Sequence, residues 1–236
     1  MAEGGTLSRS VLADEVKDRL LQDILSGRYP PHSRIVETTV ARELGISQAP
    51  VREALRGLEA TGVVEILPFR GARVRRPTTE ELLEAITIRA ELEALGARLA
   101  VPQLTDADLA SILAQGDELR RAADTGDPHA LALADARFHG LLIERSGNAT
   151  LVRLWKALEP FSRTYITAAI PGVDVHWTAA LHWPILDALR SRDTGQVVHA
   201  LRQHFEKAGS KINAGWSDED PGQSVAGHPA PGPTGA

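Results

Sequence analysis

The feature that most constrains the fold of this chain is a pair of short helical patterns separated by a single glycine. Apolar residues recur at helical spacing on either side of Gly45: Val40, Leu44, Ile46, Val51, Leu55 and Leu58. Glycine can adopt a positive φ and so end a helix within one turn. The pattern therefore predicts a helix-turn-helix, in which Ser47 is the N-cap of a second helix from Gln48 to Ala60.

Two short runs of β-prone residues follow this second helix. They span residues 63–67 and 72–75 and flank a Pro-Phe-Arg-Gly turn at residues 68–71, which predicts a β-hairpin wing. Four arginines lie at the tip of the hairpin and beyond it: Arg70, Arg73, Arg75 and Arg76. Such a concentration of guanidinium groups suits phosphates or a narrow minor groove. A solvated basic face on a small structural core is the alternative; the wing together with its charge favours contact with double-stranded DNA.

The first residues of the second helix have side chains that can bond the edges of bases. A recognition helix places its N-terminal residues in the major groove, and here these include Ser47, Gln48 and, one turn on, Arg52. Gln can bond adenine and Arg can bond guanine through two hydrogen bonds, each such pair contributing about 1–3 kcal/mol of discrimination. We therefore expect this helix to read an operator sequence.

The segments VARELGIS, PVREALRGLEATGVVE and PFRGARV resemble the winged-helix domain of the GntR family of bacterial transcription regulators. The resemblance implies a dimeric regulator whose DNA-binding domain is joined to a ligand-sensing domain. The DNA contacts that it implies are Thr38, Ser47, Gln48, Arg52, Arg70 and Gly71. The charge of the wing adds Arg73 to this set. Thr38 and Gln48 stand where relatives often have arginine, which affects the operator sequence rather than the mode of docking.

The distribution of charge reconciles an acidic chain with DNA binding. The net charge is −5, but residues 1–77 carry 12 Lys or Arg against 10 Asp or Glu, and the remainder carries 14 against 21. The local field at the wing governs phosphate contact, while an acidic remainder stays away from DNA. The chain has no cysteine, and its sequence shows neither a membrane span nor a secretory h-region. We therefore expect a cytoplasmic protein without membrane partners.

The length of 236 residues and a change of pattern near Pro77 predict two domains. A helix over residues 11–26 is expected to pack under the helix-turn-helix, completing a winged helix-turn-helix domain over residues 9–76. Six helices are predicted beyond it: 80–101, 106–125, 128–146, 150–169, 176–192 and 195–212. Their short connections favour an all-α antiparallel bundle over residues 77–213, with effector-binding and dimerisation roles. Residues 1–8 and the Pro/Gly-rich tail 214–236 are expected to be disordered. The predicted fold class is therefore mainly α with a small β-hairpin.

One carboxylate and three imidazoles lie on or beside the apolar stripes of this predicted bundle. Asp135 and His139 are four residues apart and so share one helix face, while His182 and His204 lie in the fifth and sixth predicted helices. If the helices brought them together, they would form an oxygen and nitrogen site for a divalent transition metal, with zinc, nickel and manganese all admissible. The alternative is that each histidine is an ordinary hydrogen-bonded core residue, and periodicity alone does not distinguish the two.

The segments ADARFHGLLIERSGNATL, HWPILDAL and ALRQHFEKA resemble the FadR C-terminal effector domain, which is found behind GntR-type winged helices. In many members an Asp and three His bind a metal, and the resemblance implies that role for Asp135, His139, His182 and His204. The predicted count of six helices resembles the VanR-like branch of this group.

Arg89 is a charged residue on an otherwise apolar helical stripe. Glu93, four residues on, could be a structural partner for it. Alternatively, Arg89 could point into a cavity and bind the carboxylate of an effector, which its fork geometry suits. The resemblance of IRAELEALGARLA to the first effector helix of the family favours the second interpretation.

The leading hypothesis is a homodimeric transcription regulator that binds a near-palindromic operator and responds to a small carboxylate metabolite. The acid would bind the metal and Arg89, and would be coupled to DNA affinity by about 1–3 kcal/mol. One alternative is a metal-dependent enzyme acting on a small acid, which is disfavoured because no additional acid or base stands beside the cluster. The other alternative is a regulator whose metal is purely structural.

Overall fold

The computed structural model describes residues 9–68, 70–168 and 174–215. The N-terminal part contains α1 (Arg9–Leu25), β1 (Arg34–Ile35), α2 (Glu37–Leu44), α3 (Gln48–Ala60), β2 (Val64–Leu67) and β3 (Gly71–Val74). The C-terminal part contains α4 (Thr79–Ala100), α5 (Asp106–Asp124), α6 (Pro128–Arg145), α7 (Ala149–Ala168), α8 (Val175–Ala180), α9 (Trp183–Ser191) and α10 (Thr194–Gly215). The mainly α fold class with a small sheet is confirmed. The predicted disorder of residues 1–8 and 216–236, Phe69 of the wing turn and the predicted break at residues 171–172 lie outside the described residues.

The helix-turn-helix forms as its glycine predicts. Gly45 follows α2 with φ 66°, in the left-handed conformation that ends the helix, and α3 spans the predicted residues. Ser47 occupies the N-cap position, but its side chain makes no capping hydrogen bond. The side chain of Ser47 is thus left available at the exposed start of α3.

The sheet has three strands rather than the two of the predicted hairpin. The strand order is β1-β3-β2, both pairs are antiparallel, and Ile35 of β1 lies opposite Ala72 of β3. A two-residue strand is too short to show alternation in sequence, so this pairing could not be predicted. Gly71 permits it: its φ is 83°, and a Cβ there would lie 2.3 Å from the carbonyl oxygen of Ile35.

Two large apolar cores organise the described residues, and Ile143, Leu151 and Trp155 form a smaller third cluster. The first joins α1, α2, α3 and the sheet, with α1 packed along α3 as predicted. The second fills the helical part, where α4 packs against α10 and α6, and α6 packs against α5 and α7. Phe138 of α6 is fully buried in this second core. The boundary at residues 76–77 lies between β3 and α4, and the division into domains there remains a proposal.

The fifth predicted helix is divided in two, so seven α-helices rather than six follow β3 within the described residues. A turn at Leu181 and His182 separates α8 from α9, and His182 caps α9 rather than lying within a helix. Pro184 explains the break, because proline lacks the N–H of a helix interior and, in a continuous helix, its ring would clash with the carbonyl of Ala180. The predicted helix was wrong here because the apolar spacing continues across the turn. The helix count therefore no longer supports the six-helix branch.

The helical part begins with the predicted cap and ends two residues later than predicted. Thr78 and Glu81 form the predicted cap of α4 as a reciprocal capping box. Helix α10 extends to Gly215, two residues into the segment predicted to be tail. No helix among the described residues is long and apolar enough to span a membrane.

Candidate functional site

The residues predicted to contact DNA belong to α2, to the start of α3 and to the wing, and they are mostly exposed. Gln48 is the first residue of α3 and Arg52 follows one turn later, while Thr38 lies in α2. Six of the seven predicted residues are solvent-exposed and Gly71 is half-buried; the exposed ones are Thr38, Ser47, Gln48, Arg52, Arg70 and Arg73. The surface therefore presents the predicted side chains to solvent, as a DNA-binding surface requires.

Arg52 has a partner that the sequence did not indicate. Its Nε and Nη2 donate hydrogen bonds of 3.1 and 2.9 Å to Oε2 of Glu37, the first residue of α2. The two residues are 15 positions apart and on different helices, so no local spacing reveals the pair. The Arg52 guanidinium, which is predicted to read a base, thus contacts a carboxylate of α2.

The arginines of the wing divide into two groups. Arg73 forms an ion pair with Glu65 across β2 and β3, and Arg75 forms an ion pair with Glu81 of α4. Arg75 is therefore engaged in the connection between the sheet and the helical part. Arg70 is exposed at the turn, and its carbonyl accepts a 2.9 Å hydrogen bond from Nη2 of Arg34. This bond ties the wing to β1 while leaving the Arg70 side chain in solvent.

The four predicted metal ligands are brought together inside the helical part. Asp135 and His139 come from α6, His182 from the turn before α9, and His204 from α10. One ligand atom from each lies within 4.8 Å of all the others, and all four side chains are buried. Nε2 of His182 is 3.0 Å from Oδ1 of Asp135 and 3.1 Å from Nε2 of His139. Three chain segments therefore converge on one point.

The electrostatics of the cluster favour the metal-binding forms of two of its members, Asp135 and His204. Burial alone would raise the pKa of Asp135, but the His139 and His182 rings and the Arg89 guanidinium hold that pKa well below its usual range. Burial, together with the neighbouring His182 and His139 rings, lowers the pKa of His204 well below its usual value. An ionised carboxylate and a neutral imidazole are the protonation states that a metal ligand needs.

The unsatisfied atoms of the cluster fit a cation. Nδ1 of His204 is buried without a hydrogen-bond partner. The ring nitrogens of His139 and His182 face each other at 3.1 Å, and both also approach the Asp135 carboxylate. A divalent ion among them would satisfy ring lone pairs that are otherwise turned towards one another, and one oxygen with three nitrogens is a normal donor set for zinc, nickel or manganese.

Arg89 has the structural partner that the sequence allowed. Its Nη2 and Nε donate to Oε1 of Glu93 at 2.9 and 3.2 Å, and both side chains are buried. The guanidinium also lies 5.6 Å from the ring centre of Trp155 and 5.3 Å from that of Phe205. Phe205 in turn packs 5.6 Å from the His139 ring, so Arg89 lies close to the cluster but not within it.

Comparisons with protein families match both parts of the chain. Residues 12–74 match the gntR family of bacterial regulatory proteins, and residues 84–207, more than half of the chain, match the FCD domain. The chain belongs to the GntR family. Its helical part is an FCD domain, so the two resemblances seen in the sequence are confirmed.

Individual relatives support this assignment along most of the chain. The GntR-family chain is 34% identical over 198 residues to a probable D-xylose utilization operon transcriptional repressor of Paenarthrobacter nicotinovorans, covering 84% of this chain and 87% of that one. It is 27% identical over 207 residues to the transcriptional regulator McbR of Escherichia coli, covering 86% and 93% of the two chains. The structure of E. coli McbR superposes with a TM-score of 0.73 at 26% identity, covering 86% of this chain and 97% of that one.

A structure of a GntR regulator from Rhodococcus has the same fold, with a TM-score of 0.74 at 23% identity over 87% of this chain and 99% of that one. This second likeness shows the fold alone. The two family matches and the named relatives show that this GntR-family protein is a DNA-binding transcription regulator rather than an enzyme.

Sequence reasoning missed two carboxylates next to the predicted functional residues of this regulator. Glu37 binds Arg52, and Glu93 contacts Nδ1 of His139 as well as Arg89. The sequence indicates Glu93 only as a partner of Arg89, because a contact between residues 46 positions apart has no local signature. Its acidic side chain on the apolar face of α4, one turn from Arg89, was the only available signal.

Proposed function

We propose that this GntR-family regulator binds a near-palindromic operator as a homodimer and is controlled by a small carboxylate metabolite at a metal in its FCD domain. The observation that carries the proposal is the buried group of Asp135, His139, His182 and His204, whose ligand atoms lie within 4.8 Å of one another. Such a group inside the ligand-sensing domain of a DNA-binding protein fits a sensor.

The metal supplies a Lewis-acid centre that can accept an oxygen of a carboxylic acid. The four side chains would hold such a metal, and zinc, nickel and manganese all accept this donor set. Nickel and manganese accept more than four ligands more readily than zinc, so they would more easily bind the acid as well. All four ligands are buried, which would limit the access of competing water to the site.

Arg89 is proposed as the second contact for the acid. It is close enough to Asp135 to lower the pKa of that carboxyl, so its positive charge is felt at the cluster. Because Nε and Nη2 already bind Glu93, the acid would share the guanidinium with Glu93 rather than replace it. We therefore place most of the binding on the metal, with Arg89 contributing charge and orientation.

An exposed apolar stripe supports the proposed homodimer. Ile88, Leu92, Leu95 and Leu99 recur along α4 at spacings of four, three and four residues, which places them on one helix face. Three of them are exposed, Ile88 by 54%, Leu95 by 37% and Leu99 by 38%, and Leu154 of the adjacent α7 is exposed by 53%. A second copy of the chain would cover this surface. The twofold symmetry of such a dimer matches a near-palindromic operator.

The DNA contacts are proposed to be those on the exposed surface of α2, α3 and the wing. Gln48 and Arg52 would contact base edges, and Arg70 would contact phosphates or the minor groove. Thr38, Ser47, Gly71 and Arg73 would contribute contacts around them. As a regulator of bacterial type acting on the chromosome, the protein would work in the cytoplasm.

Elemental analysis of freshly purified protein, paired with thermal unfolding in small carboxylic acids, tests the sensor hypothesis. We expect about one divalent metal per chain, and an acid that raises the unfolding temperature only while the metal is retained. An acid that acts equally after chelation would contradict the metal-centred site. Unfolding of the FCD domain on chelation, with no response to any acid, would instead indicate a purely structural metal.

A further inference from the structure

The two ring nitrogens of His139 face different surroundings. Its Nδ1 contacts Oε2 of Glu93, on α4. Its Nε2 lies 3.1 Å from Nε2 of His182 and 3.8 Å from Oδ1 of Asp135, on the side where the four predicted ligands converge. The hydrogen-bond partner of one ring nitrogen of His139 therefore decides whether the other nitrogen is free to bind a metal.

Glu93 is fixed by three donors in addition to this contact. Its Oε1 accepts hydrogen bonds from Nε1 of Trp155 at 2.8 Å and from Nη2 and Nε of Arg89 at 2.9 and 3.2 Å. The carboxylate is 1% exposed. Oε1 thus already accepts three hydrogen bonds, and the remaining oxygen, Oε2, faces Nδ1 of His139. A carboxylate paired with a guanidinium only accepts hydrogen bonds, so the proton of His139 has to reside on Nδ1.

We propose that Glu93 is a positioning residue of the metal centre, which fixes His139 in the tautomer that presents its Nε2 lone pair to the metal. Trp155 and Arg89 hold the carboxylate in place for this task. The inference rests on the proposed metal site, and it assigns Glu93 a role beyond pairing with Arg89.

The other two histidines differ in how they are supported. Nδ1 of His182 contacts the carbonyl oxygen of Ala179 at 3.1 Å, so a backbone group orients that ring. Nδ1 of His204 has no hydrogen-bond partner. Among the described residues, His139 is thus the one histidine of the cluster that contacts a buried carboxylate outside the ligand set. Loss of Glu93 should therefore change one histidine ligand rather than all three.

Glu93→Gln is a close test because it keeps the size of the side chain. If the new amide NH₂ faces His139, it donates to Nδ1 and places the ring proton on Nε2, where it blocks the metal. If the amide oxygen faces His139, the NH₂ group meets the donors of Arg89 and Trp155. We expect zinc affinity, measured by competition with a chromophoric chelator, to fall by about 10- to 100-fold.

Glu91→Gln is the matched control. It removes the same charge from the same helix two residues away, where Glu91 forms an exposed ion pair of 3.0 Å with Arg202. Its zinc affinity should equal that of the wild type. The visible absorption bands of bound Co²⁺ should shift in the Glu93 variant and not in the control, because ligand geometry, rather than stability, sets those bands. Wild-type zinc affinity and an unchanged cobalt spectrum in folded Glu93→Gln would overturn the inference.

A measurement on the wild-type protein covers the case in which Glu93→Gln does not fold. Nitrogen-15 NMR of the histidine rings in the zinc-loaded protein should show His139 protonated at Nδ1 and bound to zinc through Nε2. Zinc on Nδ1 would overturn the inference while leaving the metal centre intact. If the wild type takes up no zinc, cobalt, nickel or manganese, the metal centre itself fails and the role of Glu93 fails with it, a result distinct from equal binding by wild type and variant.

Discussion

Arg52 of α3, the proposed recognition helix, donates two hydrogen bonds to a single carboxylate oxygen of Glu37, at 3.1 and 2.9 Å. The pair crosses from α3 to α2 and lies at the surface, with the Arg52 side chain 52% exposed. The guanidinium that is proposed to read a base is therefore partly neutralised and oriented in the absence of DNA. A carboxylate at this position also repels phosphates. Glu37 should therefore weaken binding to DNA that has no guanine within reach of Arg52.

Glu37→Gln should strengthen binding to non-operator DNA. Removal of one exposed charge interaction of about 1 kcal/mol corresponds to about a fivefold lower Kd at low salt. Fluorescence anisotropy with a random duplex, titrated over several salt concentrations, measures the effect. Glu118→Gln, which removes an exposed carboxylate from α5, serves as the control and should bind like the wild type. An unchanged Kd for random DNA in Glu37→Gln would refute the proposed repulsion.

Arg52→Ala should abolish the preference for the operator while leaving salt-sensitive nonspecific binding. The loss of one bidentate base contact costs about 1–3 kcal/mol of discrimination, or roughly 5- to 150-fold in the ratio of specific to nonspecific Kd. The measurement uses a duplex selected by the wild-type protein from a random pool, compared with a scrambled duplex. Arg190→Ala in α9, which removes an exposed arginine far along the chain, controls for the loss of charge. Identical footprints for Arg52→Ala and wild type would defeat the assignment of the recognition helix.

His139→Ala and His182→Ala should each lose the metal and the response to acids without loss of the dimer. Each substitution removes one of four protein ligands, and we expect metal content to fall from about one per chain to below about one tenth. His199→Ala is the matched control, because His199 lies exposed on α10, five residues before His204. Elemental analysis after gel filtration measures the content. Full occupancy in both variants would exclude the four-residue site.

The double substitution of Ile88 and Leu95 by arginine should convert the dimer into a monomer. Burial of each such side chain stabilises an interface by about 1.5–3 kcal/mol, and a twofold interface contains each residue twice. Light scattering coupled to size exclusion gives the mass in solution. Val11→Arg, at an exposed apolar position on α1 (43% exposed), should leave the mass unchanged. A dimer that persists in the double variant would place the interface elsewhere.

Glu81→Gln should make the protein less sensitive to mild acid. Partial burial alone would raise the pKa of Glu81, but the Thr78 backbone N–H and the Arg75 guanidinium lower it below the ordinary value of 4.5. A depressed carboxyl pKa contributes stability that is present above about pH 4.5 and is lost as pH falls through the folded-state pKa.

The stability difference between wild type and Glu81→Gln should therefore be largest at neutral pH and shrink towards pH 3. Because the ion pair with Arg75 is about one third exposed, we expect a difference below about 1 kcal/mol. Urea unfolding at several pH values measures it, with Glu80→Gln on the exposed side of α4 as the control. A difference that grows as pH falls would have the wrong sign for this explanation.

Local sequence determined those features of this protein that depend on interactions between residues a few positions apart. A glycine with positive φ ends α2, the apolar spacing defines α3, and a threonine followed by glutamate three residues later caps α4. The Asp-x-x-x-His spacing placed Asp135 and His139 on one face of α6, because residues four apart on a helix are neighbours. Apolar residues also continue at helical spacing across the turn at His182, so Pro184 was the only sequence signal of the break between α8 and α9.

Only the tertiary structure decided which distant groups meet. The convergence of α6, the turn at His182 and α10 makes four buried polar residues one cluster. The apolar periodicity of a helix predicts which of its faces is buried, but not which other helix packs against that face. The pairing of β1 with β3, the Glu37–Arg52 contact and the Glu93–His139 contact are equally non-local. Each joins residues at least 15 positions apart, where the chain between them is long enough to allow many arrangements. The packing of the cores selects one of these arrangements, and with it the environment of every functional side chain.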